Sequence, residues 1–307
     1  MFLPTTRLEM EKLGWTQCDV ILVTGDAYID SPYVGVSVIG HVLIDAGYKV
    51  GIIAQPSIIA GQDSDIARLG EPRLFWGVSG GCVDSMVSNY TAVKKPRRSD
   101  DFTPGNENTK RPNRAVIAYS NLIKQQFKNS APIVLGGLEA SLRRMAHYDF
   151  WQDGIRKSIL FDAKADYLVY GMGERAVVEL ANAIESPDGK RPKDIEGVCY
   201  IAREKPEGFI EIPSFNDVIK DKTVFIESFR LLYDNNDPGT AKGLAQLQDT
   251  RWLVQNPPAR LLTEKELDKV YELPYEYDAH TYYKEMGDIK ALETIKFSIT
   301  SHRGCFG

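Results

Sequence analysis

Short cysteine intervals are missing from this 307-residue chain: Cys18, Cys82, Cys199 and Cys305 stand far apart. Neither a zinc knuckle nor a disulfide framework is therefore suggested. No run approaches the roughly 18 uninterrupted apolar residues of a membrane span, and the N-terminal MFLPTTRLEMEKLGW has no sustained signal-peptide core. No membrane partner is expected, and the cytoplasm is the default location. Internal repeats and low-complexity tracts are absent as well, which excludes solenoids and arrays. An excess of positive charge is also lacking. The formal net charge of −5 weighs against general affinity for nucleic acid or anionic membrane, while leaving room for a local basic site.

What is present is a globular composition, 43% hydrophobic and 26% charged, in a chain long enough for two domains or one large α/β unit. Asp19 to Thr24 is a short β-branched run of the kind buried in parallel sheets. Val36, Ile39, Val42, Leu43 and Ala46 follow at helical spacing, Gly47 ends the helix, and Lys49 to Ile53 reads as a second strand. The cycle continues with a helix at Asp63 to Leu69, a strand at Arg73 to Val78, a helix around Arg114 to Phe127, and strands at Pro132 to Leu135 and Asp166 to Tyr170. Such alternation predicts a doubly wound, mainly parallel α/β sheet. Lys94 to Pro112, rich in charge and proline, could grip a phosphate or RNA through its basic residues, but with Asp100, Asp101 and Glu107 interspersed it reads rather as a solvated insertion. The expected organisation is an α/β domain over 1–202, a connector or small second module over 203–294 with helices at Asp221 to Tyr233 and Glu264 to Tyr271, and a strand from Ile295.

In open α/β sheets the ligand crevice lies at the carboxyl ends of the strands. Four loops there are rich in glycine and small polar residues: Gly25 to Pro32, led by Asp26; Ser79 to Ser85; Gly136-Gly137 to Ser141; and Gly171-Met-Gly173-Glu174. Asp26, Ser79, Gly136, Gly137, Gly171, Gly173 and Glu174 are thus the candidate ligand-binding residues, because glycine lets backbone approach a ligand and small hydroxyls bond without bulk. Tight strand-to-helix turns would account for any one of these loops taken alone. Gly171 to Ala176 matches the GxGxxA dinucleotide fingerprint, but after the fifth strand rather than the first, which disfavours a nicotinamide or flavin dinucleotide. Arg143 to Trp151 packs two arginines, a histidine, an acid and three aromatics together. It could hold an anion, or be a satisfied histidine with arginines paired to carboxylates at a domain contact.

Several long segments resemble a known family. GDAYIDSPYVGVSVIGHVLIDAGYKVGIIAQP from Gly25, APIVLGGLEASLRRMAHYDFWQDGIRKSIL from Ala131, ADYLVYGMGERAVVELA from Ala165 and IKFSITSHRGCFG from Ile295 are similar to the YgiQ-type radical S-adenosylmethionine (SAM) proteins, whose N-terminal half has a cobalamin-binding-like fold. The resemblance covers essentially the whole chain. It implies that Cys305 is the first cysteine of a CxxxCxxC loop, in which three thiolates hold a [4Fe-4S] cluster and the fourth iron chelates SAM. One electron would then release a 5′-deoxyadenosyl radical. On this resemblance the chain stops inside that loop. It is then the N-terminal portion of the enzyme, its missing partner is the rest of the barrel, and the portion alone would neither hold the cluster stably nor catalyse. The resemblance leaves cobalamin as a candidate cofactor, a claim weakened because no DxHxxG motif is present and the loop from Asp26 to Gly35 has no histidine. The alternative is a stand-alone module binding a corrinoid or a nucleotide. The substrate is not legible.

Overall fold

The structure, a computed structural model, describes residues 1–58, 65–186 and 189–299. Nine strands build its main sheet: β1 (Val20–Thr24), β2 (Val50–Ala54), β3 (Phe75–Ser79), β4 (Ile133–Gly136), β5 (Tyr167–Val169), β6 (Val198–Ala202), β7 (Ile210–Ile212), β8 (Leu244–Gln248) and β9 (Arg251–Gln255). Their order is β7-β8-β9-β6-β5-β4-β3-β1-β2. The first five strands are mutually parallel in the order 2-1-3-4-5, which is the doubly wound arrangement the alternating sequence predicts. β6 joins β5 antiparallel, and β9 and β8 continue the antiparallel run.

Five helices frame the carboxyl ends of the parallel strands: α1 (Gly35–Asp45), α2 (Ser85–Asn89), α3 (Ala115–Gln126), α4 (Gly137–Leu142) and α5 (Glu174–Glu185). Because successive strand residues point to opposite faces, each parallel strand feeds two cores. Ile21, Val23, Trp76, Val78, Ile133 and Leu135 pack with Tyr119 and Ile123 of α3 on one face. Val20, Leu22, Phe75, Val134 and Val169 pack with Leu43 of α1 and Leu180 of α5 on the other. Among the described residues no helix is long and apolar enough to cross a membrane.

Two sequence expectations need revision. Segment 203–294, read as a connector or small module, supplies β7, β8 and β9 to the same sheet. Their apolar residues Ile212, Leu244 and Leu253 enter the α3-side core, so this segment completes a layer rather than standing apart. The strand expected from Ile295 is not formed in the described residues: Ala291–Ile295 is a helix, and Lys296 to Ile299 belong to no strand. Ala291, Leu292 and Ile295 pack on the α1/α5-side core at helical spacing. That contact decides the conformation over the weak apolar–polar alternation read as a strand, and Phe297 and Ile299 are left 87% and 90% exposed. The expected Asp63–Leu69 helix lies partly outside the described residues; within them Asp65–Ala67 is a 3-10 turn.

Candidate functional site

The 2-1-3-4-5 order reverses direction between β1 and β3, and ligands of such sheets bind outside that switch point. There the structure opens a cavity of about 470 Å³, within the size range of small-molecule sites. It runs between the sheet and helices α1 and α5. Leu22, Phe75, Val134, Val169, Ile39 and Val177 form its apolar walls. All seven described candidate residues from the sequence, Asp26, Ser79, Gly136, Gly137, Gly171, Gly173 and Glu174, line this one cavity. Cys305 lies outside the described residues.

Gly77, in the middle of β3, makes room for the Leu22 side chain in the cavity wall. A Cβ there would come within 2.6 Å of the Leu22 Cδ2, so any side chain at this position displaces Leu22, its register partner on β1. Sequence reading passed over Gly77 because it sits inside a strand; a glycine in a strand interior was the signal, since it weakens the strand unless something must come close. Tyr33 and Tyr271 bring two aromatic side chains to the lining, and neither was singled out from sequence.

The floor of the mouth is an ionic cluster. The Asp26 carboxylate, 1% exposed, accepts the Cys82 backbone N–H at 2.5 Å and pairs with the Arg111 guanidinium. Arg111 also reaches Asp100 at 3.1 Å and donates from Nε to the Gly25 carbonyl at 3.1 Å. Gly25 must be glycine, because a Cβ would stand 2.2 Å from the Gly80 carbonyl oxygen; the loops after β1 and β3 cross at backbone contact. Burial pushes the Asp26 carboxyl up, with Arg111 and the Cys82 N–H pulling it back. Burial, together with the Asp26 charge, holds the Cys82 thiol well above its ordinary value. The Lys94–Pro112 insertion is therefore only half solvated. Lys94 to Ser99 are exposed, whereas Asp100 and Arg111 are buried beneath the site. No local pattern distinguishes those two from the exposed charges around them.

Glu139 of α4 is also buried, and its carboxylate accepts the backbone N–H groups of Ser85 at 2.9 Å and Val116 at 3.3 Å. It ties the starts of α2 and α3 to α4. The Arg143–Trp151 segment resolves into carboxylate pairing and packing. Arg143 pairs with Asp84, Arg114 with Asp149 at 2.8 Å, and Arg144 lies over the Tyr170 ring at 4.9 Å.

The loop after β1 is clasped from the far end of the sequence. Ile29–Asp30 pairs antiparallel with Asp278–Ala279. The buried Asp30 carboxylate accepts from His41 Nε2 at 2.8 Å, Ser37 Oγ at 2.5 Å and the Glu276 N–H at 2.9 Å. Burial alone would raise the Asp30 carboxyl, but these bonds and the His41 charge bring it below its ordinary value. A depressed carboxyl adds stability above the unfolded value near 4, and that stability is lost as pH falls through the folded value. Thermal melts from pH 6 to about pH 3 should therefore show acid loss that is shallower in Asp30→Asn, which is already less stable at pH 6. Parallel slopes in the two proteins would refute that assignment.

Comparison with known proteins places the chain. It is 53% identical over its full length to a UPF0313 protein of Fusobacterium nucleatum, of which it covers 53%. A UPF0313 protein of Thermotoga petrophila is 55% identical, with 54% of it covered, and one of Methanocella arvoryzae is 50% identical over 98% of this chain and 50% of that protein. The chain thus spans about half the length of the curated relatives it matches. Among solved structures, the radical SAM methyltransferase TsrM of Kitasatospora setae with cobalamin and [4Fe-4S] cluster bound is 19% identical over 60% of this chain and 27% of that one. The TM-score of 0.38 is too low to bear on function. Residues 2–298 match the family profile described as radical SAM N-terminal, and on that match the chain belongs to the radical SAM N-terminal family.

Proposed function

We propose that this chain is the α/β half of a radical SAM enzyme of the YgiQ type, and that its switch-point cavity holds a corrinoid beside the reacting centre supplied by the rest of the enzyme. The observation that carries the reading is the 470 Å³ cavity lined from four strand-end loops. Its apolar depth suits the flat pendant base of a cobalamin, and the exposed backbone of the Gly136-Gly137 and Gly171–Gly173 turns suits the carboxamides that edge a corrin ring. Glu174 places a carboxylate in the lining at the start of α5, where a nucleotide phosphate would otherwise sit, and this favours the corrinoid over a nucleotide. When bound, a corrinoid supplies cobalt chemistry. This chain's residues contribute enclosure and orientation, and no histidine is among the lining residues.

The cluster is a different matter. Among the described residues no group of three or more His, Cys, Asp or Glu side chains is placed to hold a metal ion, and Cys18 and Cys199 are buried in the core. The described residues therefore do not fit a [4Fe-4S] cluster. In this proposal the cluster and SAM, with cleavage to a 5′-deoxyadenosyl radical, belong to the full-length enzyme, in which Cys305 would be one ligand, and the chain alone is inactive.

Equilibrium dialysis of hydroxocobalamin against the 307-residue chain tests the reading, with ATP and NAD in parallel chambers. Cobalamin should be retained and the nucleotides should not. Gly173→Val is the informative variant. Its backbone φ of −89° accepts a side chain, while the new Cβ crowds Val169 Cγ1 at 3.1 Å inside the lining. Retention should fall about tenfold or more, with the circular dichroism spectrum unchanged. Retention of nucleotide alone, or equal cobalamin retention by the folded variant, would overturn the proposal.

A further inference from the structure

We propose that the segment Tyr90–Arg98, with the facing turn Tyr148–Trp151, is a binding surface for single-stranded nucleic acid. The inference is independent of what occupies the cavity. Lys94, Lys95, Arg97 and Arg98 fall within five positions, and all four are exposed. The acids that follow them in sequence do not neutralise them: Asp100 pairs with buried Arg111, and Asp101 with Lys290 at 3.4 Å. Among the described residues none of the four cations forms an ion pair. A chain of net charge −5 thus carries a locally positive face that its overall charge conceals.

Aromatic rings stand against these cations. Lys94 Nζ lies 4.7 Å from the centroid of the Phe150 ring and donates to the Trp151 carbonyl at 3.4 Å. The Trp151 ring contacts Phe150 at 5.4 Å and Tyr90 at 5.1 Å between centroids. Phe150 is 48% exposed and Val93 73%, so part of the Phe150 ring and an apolar side chain are open to solvent beside the charges. Cations that follow a backbone, next to rings on which bases stack, form the recognition set for single strands. A duplex shields its base faces and would leave the rings unused, and a lipid surface offers nothing to stack.

The surface is held in shape. Tyr90 bridges Pro96, and Ser99 bridges Glu107. The Arg97 Nε donates to the carbonyls of Val87 and Tyr90 at 3.3 and 3.1 Å. Cys82, on the cavity lining, and Tyr90 are separated by the five-residue helix α2, about 8 Å long at 1.5 Å per residue. A strand lying on the surface would therefore pass close to the cavity mouth.

The test is fluorescence anisotropy of the whole chain with labelled RNA and DNA single strands of about twelve nucleotides, a DNA duplex of the same length, and polyphosphate as competitor. Single strands should bind, with a log–log salt slope of roughly −2 to −3 if three or four phosphates are neutralised. The RNA and DNA arms identify which strand is preferred. Lys95→Glu with Arg98→Glu, whose side chains make no hydrogen bond among the described residues, should weaken binding about tenfold or more. Phe150→Ala should weaken it about fivefold or more through lost stacking, and melting temperatures should stay unchanged in both variants. The proposal falls if neither single strand binds at low salt, or if the charge-reversed variant binds as well as the original. It falls equally if duplex and polyphosphate bind as tightly with no effect of Phe150→Ala.

Discussion

Replacing Arg111 with methionine is expected to cost about 3–5 kcal/mol of stability, on the order of 10 °C in melting temperature. The Arg111 side chain is fully buried, with Asp26 and Asp100 on either side of it. Methionine keeps most of the volume but leaves two carboxylates in a desolvated site with no cation. The penalty should depend on pH. Burial already raises the Asp26 carboxyl, and without Arg111 it rises further, so the folded variant retains a proton that the unfolded chain releases. Protons bound in the folded state and absent from the unfolded state make stability fall as pH rises, from the unfolded value near 4 up to the folded value. The variant should accordingly lie closest to the original at about pH 5 and be weakest at about pH 8. Adding Asp26→Asn to the variant should recover part of the loss and flatten the dependence. Thermal melts of the original, both variants and Asp26→Asn alone across that range check the claim; a deficit that grows on acidification would show that Arg111 does not act by charge.

Gly77→Leu is expected to reduce cobalamin retention about a hundredfold while the chain stays folded. The added side chain enters the cavity between Leu22 and the helices, and since even a Cβ would stand 2.6 Å from Leu22 Cδ2, that side chain must turn aside. In a filled core such overpacking costs about 1–3 kcal/mol. Here the neighbouring cavity receives the displaced atoms, so the cost should lie at the low end. Gly77→Ala separates the two effects. Its stability should be near that of the original, because alanine in a strand recovers backbone entropy, while affinity should already fall as Leu22 shifts into the ligand's space. Dialysis and melts on both variants decide the matter: unchanged retention in folded Gly77→Leu would place the ligand elsewhere.

The parallel strands and their loops were legible because their signal is local. Asp19 to Thr24, Lys49 to Ile53 and Pro132 to Leu135 are apolar runs that only a sheet covered on both faces can bury, and they form strands within a residue or two of those bounds. With that alternation given, the carboxyl-end loops had to share one edge, so Asp26, Ser79, Gly136, Gly137, Gly171, Gly173 and Glu174 could be grouped before any contact was known. The cavity itself could not be foreseen, since it depends on Gly77 facing Leu22 across two strands that lie more than fifty positions apart in the chain. Arg111 and Asp100 look like their solvated neighbours until the fold brings Asp26 between the loops. At the far end, the alternation from Ile295 suited a strand, but the core offered a helical contact to Ala291, Leu292 and Ile295. The sequence by itself determined which segments are strands and which loops meet. Tertiary structure alone decided which charges are buried, where the space lies and what the last described residues form, because each of these depends on partners distant in sequence.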